Sequence, residues 1–158
     1  MFANYSPMPD ESRVLTICPQ PDDRVRLHEI LRRYRCRLDE AVTWRDGAER
    51  LALTRPHVVI CDATLPDADW KEVLGEAASL SNAPRVIVIS RLADESLWAE
   101  VLNLGGYDVL ATPLVEDEVT RVVWLAWQNW NNERERQGRQ PKALSKKENV
   151  KCATLQSS

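Results

Sequence analysis

One carboxylate of the sequence stands where an open α/β sheet would place its chemistry. Asp62 ends the apolar run Val58–Cys61 and is followed by a turn, Ala63–Pro66. The β-branched residues of the run predict a buried central strand of a parallel sheet. Such sheets hold their reactive groups just past the carboxyl ends of their strands. Asp62 is therefore the best candidate in the chain for a reactive group.

Short apolar runs alternate with helical patterns from Arg13 to about Asn131. This order predicts repeated βα units around a parallel sheet. The predicted strands are Val14–Cys18, Arg37–Val42, Val58–Cys61, Arg85–Ser90 and Tyr107–Ala111. The predicted helices are one that Asp22 caps and that ends near Tyr34, then Trp44–Thr54, Asp69–Leu80, Ala93–Leu104 and Val115–Asn131. The predicted fold class is α/β, with five parallel strands and five flanking helices.

The charge of the chain divides it into an acidic body and a basic end. Residues 1–130 hold 14 Lys and Arg against 21 Asp and Glu, whereas residues 131–158 hold 7 against 3. We predict an N-terminal tail over residues 1–11, one domain over 12–131, and a basic, disordered tail over 132–158. The acidic body and the lack of a recognition-helix module argue against nucleic-acid binding.

The cysteines and the N-terminus predict a soluble, cytoplasmic protein. Cys18, Cys36, Cys61 and Cys152 follow no metal-ligand spacing, and three of them lie in strand-like runs where reduced thiols pack as small hydrophobic groups. Cys18 and Cys61 end neighbouring strands, so a redox pair is the alternative to two packed thiols. The sequence has no signal peptide and no apolar stretch near the roughly 20 residues that span a bilayer.

Four short motifs lie at the ends of predicted strands and helices and occur in a fixed order along the sequence. They are Asp62 with Leu65-Pro66 behind it, Ser90 at the end of the fourth strand, Gly105-Gly106 after the fourth helix, and Thr112-Pro113 after the fifth strand. Over about residues 12–131 this arrangement resembles the response-regulator receiver domain. The resemblance implies the flavodoxin-like strand order 2-1-3-4-5. It also implies that Asp62 is a phosphoacceptor and that Ser90 is the hydroxyl that reports phosphorylation.

The first departure from the family concerns the metal. Receivers hold a divalent cation with an acidic pair at the end of the first strand, where this chain has Cys18 and Pro19. A hard ion such as Mg²⁺ prefers carboxylate oxygens, and neither residue offers a side-chain oxygen. Asp22 and Asp23 come shortly afterwards and are weak candidates, because a helix N-cap already accounts for Asp22. We predict no resident Mg²⁺ and no other cofactor.

The second departure concerns the positive charge that pairs with a phosphoryl group. The family has a lysine after the fifth strand, where this chain has Thr112, and Lys71 is the only lysine in residues 1–130. Val109 also stands at the usual position of the switching aromatic, with Tyr107 two residues earlier on the same face. A phosphorylated Asp62 would therefore lack its usual salt-bridge partner.

Two interpretations of Asp62 follow from these departures. Asp62 is either a phosphoacceptor without the usual metal cage, or a structural residue that caps the turn into the third helix or hydrogen-bonds Thr64 or Ser90. We favour the structural interpretation, because a charged site depends on its partners.

The last two helices carry four tryptophans, which is more than the buried faces of these helices can accommodate. They are Trp98 on the fourth helix and Trp124, Trp127 and Trp130 on the fifth, whose buried stripe is predicted at Val115, Val119, Val122 and Ala126. Exposed aromatic area marks interaction sites. In receivers this region resembles the dimerisation and partner-docking face. We predict that these tryptophans bind a protein partner, such as a histidine kinase or a second copy of the chain. The alternative is that the basic tail covers the rings or that they line the helix end.

These residues lead to one functional hypothesis and one alternative. The hypothesis is a stand-alone, atypical receiver module that acts by protein contact, and the alternative is a phosphorelay receiver that is phosphorylated on Asp62. An enzyme is not expected. A phosphatase of the haloacid dehalogenase type needs a second aspartate where this chain has Thr64. A flavodoxin-like cofactor binder needs a donor-rich loop where the stiff segment Cys18–Pro21 lies.

Overall fold

The computed structural model describes residues 8–139, in which five strands and five helices alternate. The strands are β1 (Arg13–Ile17), β2 (Arg37–Ala41), β3 (Val58–Asp62), β4 (Arg85–Ser90) and β5 (Asp108–Ala111). The helices are α1 (Pro21–Arg33), α2 (Trp44–Thr54), α3 (Trp70–Ala78), α4 (Glu95–Asn103) and α5 (Glu116–Arg139). The predicted α/β class is confirmed.

All five strands are parallel and lie in the order β2-β1-β3-β4-β5, as predicted. The β-branched runs of β3 and β4 form the middle of the sheet, because strands that are covered on both faces must be apolar at nearly every position. In the register, Ile17 of β1 lies opposite Cys61, and Asp62 lies opposite Ile89 of β4. The ends of β1, β3 and β4 therefore meet at one edge of the sheet.

Alternate side chains of each strand face opposite layers of helices. Val14 and Ile60 pack in the layer formed with α1 and α5. Their neighbours Leu15 and Val59 pack in the layer formed with α2, α3 and α4. This two-fold alternation follows from the pleat of a strand. The two layers of helices therefore cover both faces of the sheet.

Three helices begin at residues whose side-chain oxygens accept backbone N–H groups of the first turn. These capping residues are Thr43 for α2, Asp69 for α3 and Asp94 for α4. The predicted cap at Asp22 is wrong. Gln20 is the N-cap of α1, without a side-chain cap, and Asp22 lies exposed in the first turn. The reason is Pro21, because the fixed φ and missing N–H of proline favour the first helical position.

Three helices are followed by a residue in the left-handed region, namely Arg35 after α1, Arg55 after α2 and Gly105 after α4. Gly105 follows α4 with φ of 98°, which agrees with the prediction that Gly105-Gly106 stops this helix. Arg55 follows α2 with φ of 49°, and its N–H donates to the carbonyl of Leu51 at 3.2 Å. The Arg55 side chain is exposed, shortly before the start of β3.

The ends of the described chain are more ordered than the sequence predicted. Met8 is buried, and its N–H donates to the carbonyl of Tyr34 at 3.1 Å, so packing begins before residue 12. Helix α5 continues beyond Asn131 to Arg139 and begins after Val115, which is exposed rather than buried. The predicted tail beyond residue 139, including Cys152, lies outside the described residues. Among residues 8–139, no helix has both the length and the apolar character that crossing a bilayer requires.

Candidate functional site

Asp62 lies at the carboxyl edge of the sheet, at the end of its central strand. Its Oδ1 accepts the backbone N–H of Thr64 at 3.1 Å, so the carboxylate caps the turn that follows β3. The side chain is half-buried. Burial raises the pKa of the Asp62 carboxyl, and repulsion from Asp23 raises it further, while the Thr64 N–H and the charge of Arg91 act in the opposite direction.

A second carboxylate joins Asp62 at this edge. The ligand atoms of Cys18, Asp23 and Asp62 all lie within 4.8 Å of one another. Asp23 reaches the edge because α1 begins at Pro21, which places Asp23 in the first turn above the end of β1. Of the two weak metal candidates, the structure therefore brings Asp23 to the site, whereas Asp22 stays exposed and takes no part in this cluster.

The cluster is a poor match for the Mg²⁺ that receivers hold. Cys18 is fully buried, and its thiol is 3.7 Å from the carbonyl of Gln20, to which it donates. Burial raises the pKa of this thiol to about 11, so at neutral pH it is protonated and uncharged. Mg²⁺ demands oxygen ligands in near-octahedral geometry. Asp23 and Asp62 would supply carboxylate oxygens, but Cys18 supplies none and Pro19 has no polar side-chain atom.

The loop that carries Cys18 and Pro19 is held by an arginine of α1. The guanidinium of Arg24 donates to the carbonyls of Cys18 at 3.2 Å and of Pro19 at 3.3 Å. These two hydrogen bonds engage the backbone where the family carries its acidic pair. Cys18 and Cys61 are both free thiols in buried positions, in accord with the interpretation as packed side chains.

Ser90 ends β4, the strand next to β3, and Thr112 directly follows β5. The Ser90 hydroxyl accepts the N–H of Leu92 at 3.0 Å, and the Ser90 carbonyl accepts the N–H of Thr112 at 3.2 Å. Lys71 does not replace the missing lysine, because its Nζ is paired with Glu100 on α4 at 2.9 Å. These hydrogen bonds fix the backbone at the ends of β4 and β5.

One cation near Asp62 was not found from the sequence. Arg91 directly follows Ser90, its side chain is exposed, and its charge lowers the pKa of Asp62. The signal was available, since a basic residue directly after a strand end of this edge points to the same site.

The loop after Asp62 is fixed by a carboxylate at its tip. Asp67 accepts the backbone N–H groups of Trp44 at 2.8 Å and Arg45 at 2.9 Å, at the start of α2. These bonds hold the pKa of Asp67 below its ordinary value, with the Trp44 N–H as the largest cause. Behind the loop, Trp70 is buried as the first residue of α3. The turn that Asp62 caps is therefore anchored at both ends.

The four predicted partner-binding tryptophans divide into three groups. Trp98 is 49% exposed, and its indole N–H donates to Asp108 at 3.2 Å. Trp124 and Trp127 are half-buried and stack at 5.6 Å between ring centroids against the α1–α5 layer. Trp130 is only 8% exposed, so the prediction of an exposed ring is wrong there. Its indole N–H donates to the carbonyl of Asn82 at 3.0 Å, which places the ring under the loop before β4.

The fold and the edge around Asp62 define the class of this protein. The sequence matches the response regulator receiver domain over residues 14–123. The chain therefore belongs to the response regulator receiver domain family, the signalling modules of two-component systems. At its carboxyl edge, Asp62 is the last residue of β3 and Ser90 is the last residue of β4.

Two curated relatives each match about half of the chain. A stretch of 78 residues is 37% identical to a protein-glutamate methylesterase/protein-glutamine glutaminase of Desulfitobacterium hafniense (strain Y51) and covers 48% of this chain and 20% of that protein. Another of 77 residues is 35% identical to the KDP operon transcriptional regulatory protein KdpE of Escherichia coli (strain K12) and covers 49% of this chain and 34% of the regulator. The matches thus span about a fifth and a third of these relatives.

Solved structures support the same fold. A response regulator receiver domain protein (CheY-like) from Methanospirillum hungatei JF-1 superposes with a TM-score of 0.71 at 18% identity, over 78% of this chain and 98% of that one. At this identity the similarity shows the fold alone.

Proposed function

We propose that this receiver domain signals by contact with another protein and that phosphorylation of Asp62 does not drive it. The observation that carries the proposal is the buried thiol of Cys18, which lies within 4.8 Å of ligand atoms of Asp23 and Asp62. A protonated thiol provides neither the charge nor the oxygen that a magnesium cage requires. The residues that would support phosphoryl transfer to Asp62 are therefore incomplete.

The cationic side chains available to Asp62 support the same proposal. Stabilisation of a transferring phosphoryl group depends on fixed cations aimed at its oxygens. Thr112 is uncharged, and Lys71 is engaged with Glu100 at 2.9 Å. Arg91 is exposed on the segment after β4. Fixing this flexible, hydrated side chain against a phosphoryl group would cost conformational entropy.

The contact surface in this proposal is the α4–α5 face, which we define by Trp98, Val109, Ala111 and Glu118. These residues line a cavity of about 300 Å³ between the start of α4, β5 and the first turn of α5. Trp98 is half-exposed there, and tryptophan is enriched among residues that dominate binding energy. The proposed occupant is a signalling protein, such as a histidine kinase, or a second copy of this chain.

Phosphorylation itself is tested by intact-protein mass spectrometry after incubation with acetyl phosphate and Mg²⁺. We expect no phosphoryl adduct under conditions that phosphorylate a receiver with a complete acidic pair and lysine. An adduct that forms on the natural chain and is absent from Asp62→Ala would overturn the proposal.

A phosphoacceptor role is the second candidate, and a specific observation favours it. Asp23 supplies a carboxylate beside Asp62, and the charge of Arg91 acts on Asp62. In that case the Asp62-dependent adduct would appear, and phosphorylation would change the binding of a partner at the α4–α5 face. The stretch shared with the methylesterase covers 20% of that enzyme, so neither candidate draws on its activity.

A further inference from the structure

A second site lies at the amino-terminal edge of the sheet, opposite Asp62. A cavity of about 320 Å³ opens there between the end of α2, the loop before β4 and the outer part of α5. We call it the basic pocket and define it by Arg13, Arg55, His57, Trp130 and Arg134. Strand β3 separates the two edges by about 17 Å, since a strand rises about 3.3 Å per residue. The basic pocket is thus distinct from the receiver site.

Three guanidinium groups, those of Arg13, Arg55 and Arg134, line the basic pocket, and none of them forms an ion pair with a carboxylate of the described residues. A carboxylate on the same helix, Glu133, is paired with Arg136 at 2.6 Å. Three like charges in one cavity repel one another, and an anion between them would relieve this repulsion.

Two of the three arginines are held in place. The Nη1 of Arg13 donates to the carbonyl of Thr54 at 2.6 Å, while its Nε is buried and has no hydrogen-bond partner in the described chain. Buried donors in folded proteins nearly always have a partner, so an unpartnered Nε needs an explanation. The guanidinium of Arg134 lies 5.6 Å from the ring centroid of Trp130, a cation–π arrangement. Preorganised donors of this kind reduce the entropy that is lost on binding a ligand.

His57 adds a neutral donor. Its Nδ1 accepts the N–H of Arg13 at 3.0 Å, so the ring proton is on Nε2. Its backbone N–H donates to the Arg13 carbonyl, and its carbonyl accepts the N–H of Arg85, both at 2.9 Å. Burial lowers the pKa of His57, and the charges of Arg13 and Arg134 lower it further, against the opposing charge of Glu11. The positive potential of the pocket therefore already acts on His57.

We propose that the basic pocket binds a small phosphorylated molecule. Guanidinium groups present planar pairs of donors that match phosphate oxygens, and three of them suit a group with two negative charges. The cavity volume falls in the range of small-molecule sites, so it admits a phosphate with a small organic group attached. The overall charge of the chain is −3, so the cavity is a positive site on an acidic protein.

The test is calorimetric titration of the full chain with pyrophosphate, inorganic phosphate and citrate at one fixed ionic strength. We expect pyrophosphate to bind most tightly, and Arg55→Gln and Arg134→Gln each to weaken it about tenfold or more, as for the loss of a charge-assisted hydrogen bond. The matched control is Arg121→Gln. Arg121 is an exposed arginine of the same helix, about 20 Å from Arg134 at 1.5 Å per residue, and its loss should change the affinity less than twofold.

An NMR titration locates the ligand independently of these variants. Pyrophosphate should shift the ring signals of His57 and leave those of residues around Asp62 unchanged. Shifts confined to the Asp62 edge, an equal effect of Arg121→Gln, or citrate binding as tight as pyrophosphate binding would each overturn the proposal. Thermal melts of the three variants confirm that each remains folded, so a loss of binding is assigned to the lost guanidinium.

Discussion

The carboxylate of Asp23, in the first turn of α1, lies beside that of Asp62 at the end of β3. Their ligand atoms, together with the thiol of Cys18, lie within 4.8 Å of one another. Repulsion from Asp23 adds to burial in raising the pKa of Asp62. Two carboxylates are therefore held close together in a partly buried site. Such an arrangement costs stability, and proteins keep it more often at functional sites than elsewhere.

Asp62→Asn should stabilise the fold at neutral pH. The folded pKa of Asp62 is raised above its unfolded value of about 3.9, so ionisation costs stability once the pH rises through the folded pKa. Below about pH 3 the carboxyl is protonated in both states, and the cost vanishes. Thermal unfolding should show a melting temperature a few degrees above that of the natural chain at pH 7 and an equal one at pH 3.

The matched control is Asp22→Asn, which removes the same charge from an exposed neighbour of Asp23. It should give no gain, because Asp22 is not part of the cluster and its charge suits the start of α1. Equal gains for both variants would show that net charge, rather than the pairing with Asp23, sets the effect.

Cys18→Asp should create a Mg²⁺ site. The new carboxylate would join Asp23 and Asp62 and supply the oxygen that the thiol lacks. We expect the affinity for Mg²⁺ to rise at least about tenfold, or about 1.4 kcal/mol, measured by calorimetry. The gain should disappear in Cys18→Asp combined with Asp62→Asn. An unchanged affinity in the single variant would mean that Cys18 is not what weakens the site.

Trp98→Ser should weaken self-association or partner binding at the α4–α5 face. Trp98 is half-exposed beside a cavity, and truncation of a central tryptophan commonly costs more than 1 kcal/mol of binding free energy. Sedimentation of the natural chain and the variant should show the dissociation constant rise about tenfold or more. Leu53→Ser is the control, because Leu53 is 77% exposed on α2, away from this face. Equal effects of the two variants would argue against this interface.

Periodicity and turn chemistry were enough to predict the fold. The β-branched runs of β3 and β4 are apolar at nearly every position because both of their faces are covered, and that pattern is visible without a structure. Asp62 and Ser90 could be placed because each ends a strand, and Thr112 because it directly follows one. Local signals of this kind need no knowledge of distant contacts.

The remaining features of the site depend on contacts that no local pattern encodes. The choice between Asp22 and Asp23 depended on a helix that begins one residue before the predicted cap, and this shift changes which side chain reaches the edge. The burial of Trp130 depended on the loop before β4 passing over its ring. Helical spacing identifies which residues share a face, but it does not show what covers that face.

Asp67→Asn should destabilise the fold at neutral pH, and this effect should vanish at strongly acidic pH. Its carboxylate accepts two backbone N–H groups at the start of α2, and these hold its pKa below the ordinary value. The stability from this depressed pKa is present above the unfolded pKa of about 3.9 and is lost as the pH falls through the folded pKa. Melting temperatures should therefore be lower than those of the natural chain at pH 7 and converge with them near pH 2. Asp10→Asn, at an exposed turn residue, should show no such difference.

Trp130→Ala should be among the most destabilising substitutions on α5. The ring is 8% exposed, lies edge-on to His57 with 4.2 Å between ring centroids, and donates to the Asn82 carbonyl. Truncation of a buried tryptophan costs about 3–5 kcal/mol, which urea unfolding measures directly. Trp130→Phe should cost less, since it keeps a ring but leaves the carbonyl without its donor. Trp98→Ala, at a half-exposed ring, should cost clearly less than Trp130→Ala, and equal costs would contradict a structural role for Trp130.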